Sequence, residues 1–478
     1  MEQTGFIAAI DFGSSKIKVM VGKKNREGKL LILDKEEIES GPCIRRGRIY
    51  NLEDVQKKVR TIVLKLEQRL PQKIEKMYVG VGGQSLQTKL CPVPKDYTNE
   101  GGKIITEELI QSLRKDWKSY EQDAEILDIA SVAYYLDDSD RPETNPIGMT
   151  CSSLEAHFKL IMANPVKGRA ADSLEKARVN VAGYLITPIA TANAVLSVED
   201  KKNGCALVEI GAEITYVSIY KQGMLKELIT IPLGGNVITS DIASQKISLE
   251  EAEKLKIKYG SAIADPDEGM EKLPIVIPEY NGPKEIERSL LDDIVEARVC
   301  EIIANVEHFI HRSEYGKFLN AGIFLTGGGA LLNKMTAAFR NKFTKSDVIR
   351  LARPNPQHFQ KMEEQYDHPA YAGIIGILLA GTENCAKEKE VLISPNIFPE
   401  GEIAIRTKKE PDPIKEDDPK KKTGTRKQGT KKPGPKKPGT MQLVINFFGN
   451  MVDKGTKVLY EDAEFNNNSE EEEEEEEN

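Results

Sequence analysis

Ile10-Asp11-Phe12-Gly13-Ser14-Ser15-Lys16 is the stretch from which the rest of the chain can be read. Phe6 to Ile10 before it is a short apolar run. After it, Ile17, Val19 and Val21 alternate with lysines and Met20, the pattern of a strand. A polar turn at Asn25 to Gly28 leads to a third strand, Leu30 to Leu33. The same unit returns later. Ala206 to Ile210 is an apolar strand and Gly211-Ala212-Glu213 a turn. Val217 and Ile219 alternate in a second strand, and Leu225 to Ile231 makes a third. An acid, a spacer, a glycine and a return strand therefore occur twice, which predicts an α/β chain with two similar domains facing one cleft.

Between the copies, Leu52, Val55, Val59, Ile62, Val63, Leu66 and Leu70 share one helical face. Met77 to Gly82 reads as a strand, Ile104 to Tyr120 as a helix and Leu154 to Ala163 as a strand. A helix over Ala170 to Val181 is expected to close the first domain. Further on, Asp292 to Arg312 reads as a long helix. Ala321 to Leu325 is a strand ending in Thr326-Gly327-Gly328-Gly329, with a helix over Ala330 to Phe343.

Three glycine turns suggest phosphate chemistry. In the first, Gly13 permits a tight turn, and Ser14, Ser15 and the backbone amides can face an oxyanion. Asp11 can hold a hydrated magnesium ion, and Lys16 can neutralise phosphate charge. A hairpin with polar turn residues explains this turn equally well. The second turn carries Glu209, Gly211 and Thr215, and gains weight as the counterpart of the first. In the third, Gly327, Gly328 and Gly329 let a nucleotide lie against the backbone at a helix N-terminus; a short strand-to-helix connection explains them as well. Neither a Walker sequence nor a G-x-G-x-x-G fingerprint occurs at these turns.

In this order, Ile10 to Lys16 resembles the first phosphate motif of the actin, sugar-kinase and heat-shock chaperone ATPases. Glu209 to Thr215 resembles the second, and Ile323 to Ala330 the adenosine motif. More closely, Ser40-Gly41 through Gly47-Arg48-Ile49, Tyr78 to Gly83, Asn145 to Met149, Thr191 to Leu196 and Ile231 to Asn236 are similar to the FtsA family of bacterial cell-division proteins. The resemblance spans roughly Phe6 to Ala380. It implies a two-lobed actin-like (ribonuclease H-like) fold, with an inserted subdomain replacing one actin subdomain, and ATP and Mg²⁺ in the cleft. On this reading the first lobe is 1–81 and 166–204, interrupted by an insertion at 82–165. The second lobe is 205–232 and 316–405, with a small subdomain at 233–315.

The resemblance also implies the site residues. Asp11 and Glu209 are the catalytic carboxylates, with Asp11 on the metal through water. Gly13, Ser14, Ser15, Lys16, Gly211, Thr215, Gly234, Gly235, Asn236, Glu253, Lys256, Gly327, Gly328 and Gly329 contact nucleotide. Glu253 and Lys256 lie three apart on one helical face; flanking a ribose or base and forming an ordinary surface pair are equally compatible with that spacing. Arg298 is placed in the helix that binds the C-terminal peptide of FtsZ, the tubulin-like division protein, and is otherwise a solvated charge. Self-association into filaments and contacts with other division proteins are implied too. The chain departs from the family at Glu209, where aspartate is usual, and at Ala212 and Glu213, where glycines are usual. The extra methylene moves the carboxylate by roughly an ångström, and misplacement on that scale costs about 10²-fold in rate. Bound nucleotide with slow or absent hydrolysis is the expectation.

The formal net charge of -8 over 478 residues hides two blocks: lysines crowd Lys408 to Lys437, and glutamates fill Glu470 to Glu477. The lysine, proline and glycine stretch 406–440 reads as a disordered linker. In 441–460, Met441, Val444, Ile445, Phe448, Val452 and Leu459 fall near one helical face, with Phe447 and Met451 at its edge. Such a helix suits a lipid interface, or docking on the chain's own core or on a partner. The family resemblance favours an anionic inner membrane, touched from the cytoplasmic side at the division site. An acidic tail, 461–478, follows and is not part of the family pattern. The six cysteines show no metal-ligand spacing, which reads as reduced thiols in a cytosol. Met1 to Gly5 has no signal-peptide pattern, and no stretch reaches the roughly 20 apolar residues of a membrane span. The linker lacks the interleaved aromatics of a nucleic-acid binder. A sugar or metabolite kinase of the same superfamily is the rival reading, although nothing in the sequence suggests its substrate.

Overall fold

Two five-stranded sheets of identical topology carry the two lobes. The computed structural model describes residues 5–116, 125–137, 139–143, 145–264, 272–275, 284–343 and 348–389. The linker, the amphipathic segment and the acidic tail lie outside the described residues.

In the first lobe the strands run, edge to edge, Asn180–Ile186, Lys76–Val81, Ile7–Phe12, Lys16–Lys24 and Leu30–Glu39. In the second they run Ile349–Leu351, Gly322–Thr326, Cys205–Ile210, Thr215–Lys221 and Met224–Ile231. Each sheet is a hairpin meander with two parallel strands added beside the first strand. The central strands are near-continuous apolar runs because both faces are covered: Ala8, Ala9 and Ile10 are buried, and so are Ala206, Leu207 and Val208. Register then places residues across the cleft floor. Asp11 sits between Lys18 and Gly80, and Glu209 between Tyr216 and Thr326.

Helix Leu52–Arg69 covers the first sheet. Asn51 caps it by accepting the Asp54 amide, Glu53 and Asp54 fill its first turn, and Arg69 its last. Its apolar stripe buries Val55, Val59, Ile62, Val63 and Leu66. Between the lobes, helix Ala372–Ala380 (AGIIGILLA) is apolar on all sides because it packs against helix Thr187–Val195 and the first sheet. A Cβ at Gly376 would stand 2.0 Å from the Ala190 carbonyl oxygen, so only glycine allows the two backbones to approach this closely.

Strands Glu125–Leu136, Ser153–Ala163 and Gln87–Asp96 form a separate antiparallel sheet with helix Glu107–Asp116 and a core of its own around Cys91, Val93, Leu113 and Phe158. Its attachment is to the first lobe, but it leans on the second. The Thr230 hydroxyl donates to the Leu86 carbonyl at 2.7 Å, and Lys159 Nζ donates to the Lys226 carbonyl at 2.6 Å.

Several boundaries differ from the sequence expectation. The expected helix over Ala170 to Val181 is helix Lys167–Glu175 followed by strand Asn180–Ile186; Arg178, at φ 57°, makes the break. The expected helix over Ala330 to Phe343 is a short 3-10 turn, Gly329–Leu331, and then helix Met335–Lys342, with Lys334 left-handed between them. The long second-lobe helix starts one turn early, at Arg288, whose guanidinium grips Asp292 inside the fold at 3.0 Å. The third strand continues past Leu33 to Glu39. Its second half is charged and shows no apolar alternation, since it is held by backbone pairing to Lys16–Lys24. The helix placed over Ile104 to Tyr120 is Glu107–Asp116, and 117–120 lie outside the described residues. Among the described residues no helix is long and apolar enough to cross a membrane.

Candidate functional site

The two lobes enclose a cleft of about 560 Å³ whose lining includes all three glycine turns. Its floor holds two carboxylates and one lysine. Asp11 is half-buried, and burial raises its carboxyl above the usual range while Lys18 opposes the shift. Glu209, its counterpart, is pushed up to about 7, chiefly by burial; Asp11 adds to the shift, and the Thr191 hydroxyl and Lys18 oppose it. Glu209 Oε2 is buried and has no hydrogen-bond partner among the described residues, and the same holds for the hydroxyl of Thr326 beside it in the ladder. An orphaned carboxylate oxygen costs free energy unless something fills the site.

Lys18 is the cation that faces both acids. Burial lowers its pKa, while Asp11, Glu37 and Glu209 hold it up. Its Nζ donates to the Ala370 carbonyl at 2.5 Å. Lys16 also lines the cleft, but its ammonium is paired with Glu37 at 2.5 Å. The turn pattern singles out Lys16, whereas the strand ladder singles out Lys18. The signal was available: a turn pairing Phe12 with Ile17 must pair Asp11 with Lys18, on the same sheet face.

Around the first turn, the Ser40 hydroxyl donates to the Gly13 carbonyl at 2.6 Å, and Ser14 Oγ accepts the Gly47 amide at 3.1 Å. Gly13, Ser14 and Ser15 all line the cleft. In the second turn, Gly211 lines it, but Thr215 stands behind: fully buried, its hydroxyl donates to the Leu233 carbonyl at 2.8 Å. Gly234 likewise packs against the turn instead of facing the cavity. The amides of Gly235 and Asn236 donate to the carbonyls of Gly211 and Ala212 at 2.9 and 2.6 Å, so these two helix-start amides hold the turn in place. Glu213 does not aim at the floor; its carboxylate accepts the backbone amide of Arg46 from the opposite lobe.

Glu253 and Lys256 are not a surface pair. Lys256 is buried, and its Nζ donates to Glu253 at 2.6 Å, to the Thr239 hydroxyl at 2.8 Å and to the Gly235 carbonyl at 3.1 Å. The network ties helix Leu249–Tyr259 to the start of helix Gly235–Ala243, and both residues line the cleft beside Ile257 and Met335. Gly327 to Gly329 close this side. Gly327 has φ 86°, and a Cβ there would stand 2.4 Å from the Ile210 carbonyl oxygen. Gly327→Ala is expected to lower the unfolding free energy by about 2 kcal/mol; a denaturant melt with an unchanged midpoint would refute that. Arg298 is away from the cleft, half-buried on helix Arg288–Arg312, where its guanidinium pairs with Asp241 and, at 2.6 Å, with Glu301.

The donor set fits a hydrated magnesium ion carried in with phosphates. Mg²⁺ takes one or two carboxylates and fills its remaining positions with water and phosphate oxygens. Asp11 and Glu209 could supply those carboxylates, and a divalent cation would relieve their mutual repulsion. Among the described residues no group of three or more His, Cys, Asp and Glu side chains forms an all-protein metal site.

Comparison with known proteins agrees with this architecture. The family model described as "Cell division protein FtsA" matches residues 206–376, and the one described as "SHS2 domain inserted in FTSA" matches residues 88–162. The chain is 33% identical to the cell division protein FtsA of Porphyromonas gingivalis over 338 residues, covering 70% of each chain. It is 27% identical to the FtsA of Neisseria meningitidis serogroup B over 385 residues, 79% of this chain and 91% of that one. Among solved structures, the PilM-PilN type IV pilus biogenesis complex shares the fold, with a TM-score of 0.54 at 15% identity over 78% of this chain and 97% of that one. The duplicated sheets, the sheet inserted into the first lobe and a relative one-third identical over most of the chain lead to one conclusion: this chain belongs to the FtsA family of cell-division proteins and has its two-lobed, actin-like fold.

Proposed function

We propose that the chain binds ATP with Mg²⁺ in the interlobe cleft and tethers FtsZ filaments to the inner membrane at the division site. The observation that carries the nucleotide reading is the orphaned Glu209 carboxylate oxygen and Thr326 hydroxyl, set beside Asp11 and Lys18 among three glycine turns. Magnesium would supply charge neutralisation there. Asp11 and Glu209 would hold the ion, and Lys18 would face the phosphates. The backbone at Gly13 to Ser15 and at Gly211 would cradle them, with Gly327 to Gly329, Glu253 and Lys256 on the nucleoside side. Glu209 is one methylene longer than the aspartate usual in the family, so its carboxylate is displaced by roughly an ångström from where a base would be aimed. ATP is therefore expected to act chiefly as a structural ligand, with slow hydrolysis at most.

The tether reading rests on family membership and on the sequence of 441–460. Val444, Ile445, Phe447, Phe448, Met451 and Val452 would enter the lipid interface from the cytoplasmic side, and upstream lysines would each add about 1 kcal/mol of attraction to an anionic surface. The helix carrying Arg298 would take the FtsZ C-terminal peptide, and lobe-to-lobe contacts between copies would build filaments alongside other division proteins. Liposome co-sedimentation with a labelled FtsZ C-terminal peptide tests this. The full chain is expected to pellet the peptide with anionic vesicles, and a chain ending at Gly439 to leave both in the supernatant. Equal pelleting by the two chains would refute the anchor; absence of the peptide from every pellet would refute the adaptor.

A further inference from the structure

Tyr216 occupies, in the second lobe, the ladder position that Lys18 occupies in the first: Lys18 pairs with Asp11, and Tyr216 with Glu209. Its side chain crosses the cleft. The Tyr216 hydroxyl oxygen accepts the backbone amide of Gly83, two residues beyond the first-lobe strand Lys76–Val81, at 2.6 Å. Three residues earlier, Glu213 makes the same crossing to the Arg46 amide. Their two targets form one block: the Gln84 amide donates to the Arg46 carbonyl at 3.1 Å, and the Gly47 amide reaches Ser14 of the first phosphate turn. Glu213, a departure of the second turn from a glycine loop, and Tyr216 on the strand that follows it thus form a two-point clasp between the lobes.

The Tyr216 oxygen accepts one hydrogen bond, while its own hydrogen has no acceptor among the described residues. Burial, and then the charges of Glu209 and Asp11, push the phenol up, so it remains a donor at any physiological pH. Glu253, Lys256, Ile257 and Met335 line the nucleoside side of the cleft; Tyr216 stands instead with Gly47 and Gly83, where the far end of a bound nucleotide would lie. We propose that Tyr216 is a positioning residue that donates its hydroxyl hydrogen to the terminal phosphate of a bound nucleoside triphosphate, so that this phosphate is tied to the spacing of the lobes. The inference rests on the nucleotide reading above.

Tyr216→Phe keeps the ring and removes both the bridge and the donor. The probes are a non-hydrolysable ATP analogue and ADP, each with Mg²⁺, titrated calorimetrically into the full chain, together with an interlobe fluorescence-transfer pair. Wild-type chain is expected to prefer the triphosphate. Tyr216→Phe is expected to lose about tenfold in analogue affinity with ADP affinity retained, and to lose the lobe response that distinguishes the two ligands. Glu213→Ala, which removes only the other clasp point, is expected to loosen the unliganded lobes and to keep the triphosphate preference. Equal losses for both nucleotides in Tyr216→Phe, or no loss, would overturn the assignment while leaving the nucleotide site intact. Failure of the wild-type chain to bind either nucleotide would overturn the site itself.

Discussion

Lys18→Met is expected to weaken Mg-ATP binding by about ten- to a hundredfold, while Lys16→Met changes it by less than about threefold. A hydrogen bond to a charged group contributes about 1.5–3 kcal/mol, which sets the larger figure. The contrast follows from where each ammonium stands. Lys18 is the cation that offsets both Asp11 and Glu209 at the floor. Removing it takes an attraction away from the phosphates and leaves two neighbouring carboxylates uncompensated, which they relieve by taking up a proton. Lys16 is half-exposed and already paired with Glu37, so its loss is screened by solvent and shared with a surface partner. Calorimetric titration of both variants decides the matter. A larger effect at Lys16 than at Lys18 would return the phosphate role to the residue that the sequence first suggested.

The second expectation concerns pH. In the folded chain the Glu209 carboxyl titrates at about 7, against 4.5 for an ordinary glutamate. Between those values the native state keeps a proton that the unfolded chain has released. Stability of the nucleotide-free protein therefore falls as pH rises through that window, by about 3 kcal/mol in all. Glu209→Gln removes the titration. It is expected to match the wild type near pH 5 and to exceed it at pH 8, as read from urea midpoints without magnesium. Magnesium acts in the opposite direction, since it needs the ionised carboxylate. Its affinity in the presence of nucleotide is expected to drop about tenfold from pH 8 to pH 6, following the ionised fraction, and Glu209→Gln is expected to lose that dependence. A wild-type protein whose urea midpoint is flat from pH 5 to pH 8 would show that Glu209 is ionised throughout.

Much of the frame was legible because it is written in short-range pattern. The duplicated acid–glycine hairpin predicted two alike sheets, and the apolar runs at Ile7–Phe12 and Cys205–Ile210 marked strands covered on both faces. The stripe from Val55 to Leu66 marked a helix lying on a sheet. Boundaries failed where this signal fades. Asp34 to Glu39 form an edge strand held by backbone bonds, for which side-chain alternation is not needed. The break at Arg178 depends on a left-handed residue with no glycine to announce it.

The functional groups divide in the same way. Sequence by itself determined which turns could hold phosphate, in what order, and that acids end the two central strands, because strand period and turn chemistry are set by residues a few positions apart. Only the tertiary structure decided that Lys18 and not Lys16 faces the acids. It alone turned Thr215 toward Leu233, sent Glu213 across to Arg46, and made Glu253 and Lys256 an internal tie. Those outcomes depend on sheet register and on how two lobes meet: Thr215 and Leu233 are 18 positions apart, and Glu213 and Arg46 are 167. In a half-dry cleft a difference of one rung decides whether a charge is paired, solvated or left for a ligand.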